Sequence, residues 1–214
     1  MGTIKKGIMG GFSGKVGNVV GASWKGIDYI RSLPSKVRNP KTPGQVMQRD
    51  KFSLIVKFVR SVLPVIQVGF KSSAGAENSA YTAAMSYNMN RAVKGEYPDF
   101  EIDFPNAAIS RGSLPAVNNL TAEREAGSLN FAWDTDAFNN ASALDRVMLI
   151  AYNPGKQQAV YNMSAGARGE GNAPLAVPSA WDGDDVEAFA VFISEDGTGV
   201  SDSVYAGRHE AVEG

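Results

Sequence analysis

The sequence predicts a mainly β chain with two helices (an α+β arrangement). An N-terminal β-hairpin and helical region is followed by a seven-stranded β-sandwich. Three observations carry this. The apolar period is two at the start of the chain, changes to 3.6 from about residue 43, and returns to two near residue 100. The last hundred residues break into short apolar runs separated by turn residues. A hydrophobic content of 43% with 20% charged residues supplies enough apolar surface for a packed core.

Taken in order, "GNVVGASW" and "IDYIRSL" flank Lys25-Gly26, a two-residue turn in which glycine supplies positive φ. Val20, Ala22 and Trp24 alternate on one side, and Ile27, Tyr29 and Arg31 alternate on the returning strand. A helix over about 43–68 starts at Thr42 as cap, with Pro43 at the first helical position and Gln45 completing a capping box. Phe52, Ile55, Val56, Val59, Leu63 and Ile66 form its apolar stripe, and Pro64 is expected to kink or end it. A second helix, about 79–93, is capped by Ser79 and closed by Gly95 as the residue after its end. "FEIDF" alternates as a half-buried strand over about 99–104. The turn-rich "SRGSLPAV" marks an expected domain boundary near residue 113.

This gives two expected domains: a basic N-terminal region, 1–113, and an acidic β-sandwich, 114–214. The sandwich strands are read in "SLNFAWD", "RVMLIAYNPGK", "QAVYNMS", "APLAVPS", "VEAFAVFISEDG" and "VSDSVYAG". With no cysteine to form an inter-sheet bridge, their order is closer to a fibronectin type III-like sandwich than to an antibody-like one.

Charge is divided along the chain. Residues 1–71 hold 13 Lys/Arg and two acidic residues, whereas residues 72–214 hold eight Lys/Arg and 20 acidic ones. A basic arm of this kind fits a polyanion or another copy's acidic body.

Chemistry-bearing motifs are sparse. The stretch "GIMGGFSGKVGNVVG" has the look of a phosphate-binding loop. Around Gly14-Lys15, however, a Walker A loop needs glycine at 9 and a hydroxyl residue at 16, where Met9 and Val16 stand. The only histidine, His209, lies near a terminus expected to fray, which argues against a catalytic triad. Without cysteine, a metal site would rest on oxygen ligands. Asp182, Asp184 and Asp185 have a hard-cation spacing, but acidic turns of this kind are ordinarily solvated loops. No catalytic residue, metal site or cofactor is therefore expected. No small-molecule substrate is expected either, and the chain reads as non-enzymatic.

The positive stretch offers one interface. Lys15, Lys25, Arg31, Lys36, Arg38, Lys41 and Arg49 are interleaved with Trp24 and Tyr29. Cations can follow phosphates while aromatics stack on bases, and the same set can meet an acidic protein surface. The expected partner is a second copy of the chain, in a filament, shell or virion-like particle; the alternative partner is nucleic acid. No signal h-region and no long apolar run is present, so a cytoplasmic location is the default, with a virion or an assembly exported without a signal as other settings.

The segments "GGFSGKVGNVVG", "NPKTPGQVMQR", "SAYTAAMSYNMNRAV", "SRGSLP" and "SDSVYAG" resemble an uncharacterised family of Bacteroidota proteins, a domain of unknown function. Asn39 to Arg49 is the most specific part. The resemblance implies a bacterial or bacteriophage source and assigns no activity or site residue.

Overall fold

The computed structural model describes residues 3–4, 11–24, 27–34, 39–74, 78–135 and 141–211. It divides into two compact units, residues 1–42 and 43–214.

The first unit is a four-stranded antiparallel sheet of β1 (Thr3–Ile4), β2 (Phe12–Val16), β3 (Val19–Trp24) and β4 (Ile27–Ser32), paired in that order. The register Trp24↔Ile27 fits the expected two-residue connection, although Lys25 and Gly26 themselves lie outside the described residues. The glycine-rich segment supplies a further strand. Gly17, with φ of +59°, turns β2 into β3. Gly21 is needed for close approach, since a Cβ there would lie 2.1 Å from the Phe12 carbonyl oxygen.

The second unit has three layers. Seven of its strands form two sheets. The larger contains β9 (Arg146–Asn153), β10 (Gln158–Ala167), β12 (Val186–Ile193) and β13 (Val204–His209), in the order β10-β9-β12-β13. The smaller contains β7 (Thr121–Glu125), β8 (Ser128–Ala132) and β11 (Asn172–Ala176), in the order β11-β8-β7. This is the expected seven-stranded, fibronectin III-like sandwich. Leu129 and Phe131 of the small sheet, with Trp133 just after β8, pack against Leu149, Ala190 and Phe192 of the large one.

The other face of the large sheet carries α1 (Pro43–Ser61), α2 (Leu63–Gly69) and α3 (Ala80–Arg91). Ile55, Phe58, Val59, Val62 and Ile66 share one core with Met148, Ile150, Phe189 and Val191. Strands β9 and β12 are therefore covered on both faces. That explains their nearly unbroken apolar sequences, "RVMLIAYN" and "VEAFAVFI".

Three helices stand where two were expected. Pro64 at the second position of α2 makes the predicted break, and α1 and α2 bend by 85°. Phe52 lies off the buried stripe and is 52% exposed; Phe58 is wholly buried in its place, because the stripe turns toward the large sheet. Ser79 caps α3, its hydroxyl accepting the Thr82 N–H at 3.2 Å. Gly95 does not close that helix. α3 ends at Arg91, and Gly95, with φ of +85°, turns the short β5 (Val93–Lys94) toward β6 (Glu101–Ile102).

The expected boundary near residue 113 is corrected. Residues 107–114 form a seam stitched to both sides. The Asn88 side-chain amide donates to the Ala108 carbonyl, and Ala108 N–H donates back to Asn88 Oδ1, both at 2.9 Å. Ser110 Oγ donates to the carbonyls of Gly69 and Ser201, and Leu114 N–H donates to Val200 O. The helices cover one face of the sandwich sheet and cannot be detached without exposing it, so the chain divides at Thr42/Pro43 instead.

Among the described residues no single helix is long and apolar enough to cross a membrane. Together α1 and α2 have the length and composition, but Ile55, Phe58, Val62 and Ile66 are wholly buried in the core.

Candidate functional site

Register in the N-terminal sheet decides which expected site residues meet. Lys15 pairs with Val20, and Val20 with Arg31, so both cations lie on one face with Val20 between them. Tyr29, two residues before Arg31, lies on the same face and is 43% exposed. The backbone of Trp24 pairs with Ile27. Lys41 adopts a left-handed backbone with φ of 48°, just before α1. Arg49 belongs to α1, in the other compact unit. Lys25, Lys36 and Arg38 lie outside the described residues.

Among the described residues the β4 edge of this sheet is unpaired. All six residues of β4 are exposed, including Ile27 at 64% and Ile30 at 66%. Among the described residues only β3 pairs with β4, so its outer backbone groups form a ready template for strand addition. The unit contains eight Lys/Arg and one acidic residue, Asp28; residues 43–214 contain 13 Lys/Arg and 21 acidic residues.

In the second unit the Asp182/Asp184/Asp185 cluster does not converge on a common point. Asp184 takes Lys156 and the Asn153 amide, while Asp185 takes Arg208 and the Ala211 N–H. These bonds hold both carboxyls below the usual carboxylate range. Asp182 Oδ1 is buried without a hydrogen-bond partner. Among the described residues no group of three or more His, Asp or Glu is placed to hold a metal ion.

His209 is not frayed. It ends β13, pairs with Val186 and is half-buried, with Nε2 lacking a partner. Burial pushes its pKa down. Arg124 braces the same corner, donating to the carbonyls of Trp181, Asp184, His209 and Glu210.

Sequence reasoning missed a cleft of about 420 Å³ at the junction of α1, the segment 100–105 and the large sheet. Its floor carries Tyr152 and Glu187, in register across β9 and β12, and Arg208, in register with Glu187 on β13, stands at the mouth. Glu187 is only 2% exposed and accepts a hydrogen bond from the Tyr205 hydroxyl at 2.6 Å. Burial pushes its carboxyl up. The signal available in the sequence was Glu187 itself, an acidic residue inside the otherwise apolar "VEAFAVFI".

The fold defines the class first: a fibronectin III-like sandwich with a helical layer on its large sheet, plus a separate basic β unit. The chain belongs to DUF6266, a family of unknown function, whose match covers residues 11–207. No curated protein matches it in sequence. Among solved structures it is similar to the fn3 domain of the human collagen alpha-1(XX) chain, at 15% identity and a TM-score of 0.32. That match covers 48% of this chain and 85% of the collagen domain.

Proposed function

We propose that this is a non-enzymatic structural or assembly protein, whose basic N-terminal sheet docks on the acidic sandwich of a neighbouring copy. The observation that carries the reading is β4, an edge strand exposed along its whole length in a strongly cationic unit. Strand addition supplies backbone hydrogen bonds, Ile27 and Ile30 supply apolar contact, and the opposed charges set the pairing. A head-to-tail contact of this kind builds rings or open fibres, which fits a filament, shell or virion-like particle. The bacterial or phage setting implied by the motif resemblance belongs to the same reading. Light scattering across a salt series is the test. Mass should grow at low salt and fall as screening increases; a strict monomer at low salt and high concentration removes the reading.

The second reading is nucleic-acid binding by the same face, favoured by the placement of Lys15, Arg31 and Tyr29 together. Anisotropy titration with a single-stranded oligonucleotide decides it. Binding must weaken steeply with salt, and no binding at about 50 mM salt excludes it.

A further inference from the structure

We propose that the cleft over Glu187 binds a small apolar amino acid, holding its ammonium group on Glu187 and its carboxylate toward Lys57. The site does not depend on the assembly reading, because every lining residue lies in the second compact unit.

The floor is built to receive a cation. Glu187 is buried, and among the described residues no Lys, Arg or His stands within ion-pair distance of its carboxylate. Tyr205 satisfies one oxygen only. A buried carboxylate is costly. Arg208 and Lys94 act on it only from beyond ion-pair distance, so burial still dominates, and a ligand ammonium in direct contact would relieve that cost. Tyr152 is 2% exposed and lines the same floor, yet its hydroxyl makes no hydrogen bond to a described residue. Its ring is fixed edge-on by Phe58 at 5.1 Å and packs on Phe104 at 5.6 Å. Burial pushes its pKa up to about 12, so it stays a neutral hydrogen-bonding group.

The walls are apolar and aromatic: Leu54, Phe100, Ile102, Phe104 and Pro105. An ammonium beside such faces gains cation–π attraction, and an apolar side chain gains burial. The cleft volume falls in the range of roughly 300–1,000 Å³ typical of small-molecule sites.

The mouth explains why a zwitterion fits better than a plain amine. Two of its three cations are engaged, Lys94 with Glu101 at 3.8 Å and Arg208 with Asp185. Lys57 makes no ion pair among the described residues and remains to meet an anionic group.

The test is an amide-detected NMR titration of the full chain with L-phenylalanine, L-leucine, phenethylamine and phenylacetate, each to about 10 mM. The amino acids should shift amides around Phe100, Phe104 and Tyr152, phenethylamine should bind more weakly, and phenylacetate should not bind. Glu187→Gln should weaken phenylalanine roughly tenfold. Should that variant fail to fold, exposed Lys57→Gln carries the test: it should weaken phenylalanine and leave phenethylamine unchanged. Absence of cleft shifts with both amino acids overturns the proposal. So does phenylacetate binding as well as phenylalanine, or a phenylalanine affinity indifferent to both substitutions; Glu187 and Tyr205 are then only a structural polar pair.

Discussion

Replacing Asn88 with alanine tests whether helices and sandwich are one cooperative body. Asn88 is wholly buried in α3, and its amide holds both backbone groups of Ala108 in the seam at 2.9 Å. Asn88→Ala strands that N–H and that carbonyl at a position only 7% exposed. Each unsatisfied buried group costs about 1–3 kcal/mol, so two cost about 2–6 kcal/mol, and the space left by the side chain adds to this. Taking about 4 kcal/mol, at about 2–4 °C per kcal/mol for a body of this size, the midpoint should fall by about 8–16 °C. The assay is thermal unfolding followed by tryptophan fluorescence in a Trp24→Phe background. The remaining reporters, Trp133 and Trp181, are buried in the sandwich core, on the far side of the large sheet from Asn88. One shared transition at a lowered midpoint is expected. If the tryptophans melt at the wild-type temperature while helical ellipticity is lost earlier, residues 43–113 fold apart from the sandwich and the three-layer account fails.

Other expectations follow from single contacts. Gly21→Ala places a Cβ 2.1 Å from the Phe12 carbonyl oxygen, so β2 and β3 should separate; amide dispersion should be lost for residues 11–33 while the melting of the second unit is unchanged. Asp145→Asn leaves the buried Arg168 guanidinium, 1% exposed over the Phe192 ring, without its counter-charge, at an expected cost of about 3–5 kcal/mol by urea denaturation. Burial raises the folded pKa of Glu187 above its ordinary 4.5. The stability it supports is full below pH 4.5 and is lost as pH rises through the folded value; Glu187→Gln should flatten that slope in melting curves. His209 has the opposite sign. Its folded pKa is depressed below 6.5, so stability should decline as pH falls below 6.5, and His209→Gln should lessen the decline.

The sandwich strands were legible because their side chains alternate or run apolar between turn residues. β7 escaped, since "TAERE" is a polar edge strand with no apolar repeat; only Gly127 in the turn that follows, with φ of +76°, marked it. The third layer escaped for another reason. A run such as "RVMLIAYN" says that both faces are covered but not by what. The seam at 107–114 reads as a linker because Ser110 and Gly112 favour turns. Here Ser110 is buried between two carbonyls, and a Cβ on Gly112 would lie 2.0 Å from Val200 O. The pairing of Val20 with Arg31 followed from the hairpin period, but Lys15 joined them only through β2, a strand that its glycines and short apolar pattern did not mark. The cleft followed from no such period, because Tyr152, Glu187 and Tyr205 meet only through the register of three strands and the helices above them.

The claim that opposed charges drive self-association is tested most directly by the molar mass of the full chain and of Lys15→Glu/Arg31→Glu, measured by sedimentation at about 50 mM and about 0.5 M salt. The account predicts multiples of the 22.7 kDa chain for the wild type at low salt only, and a monomer for the variant in both conditions. A wild-type monomer at low salt, or an assembly that survives both the charge reversal and the high salt, would contradict it.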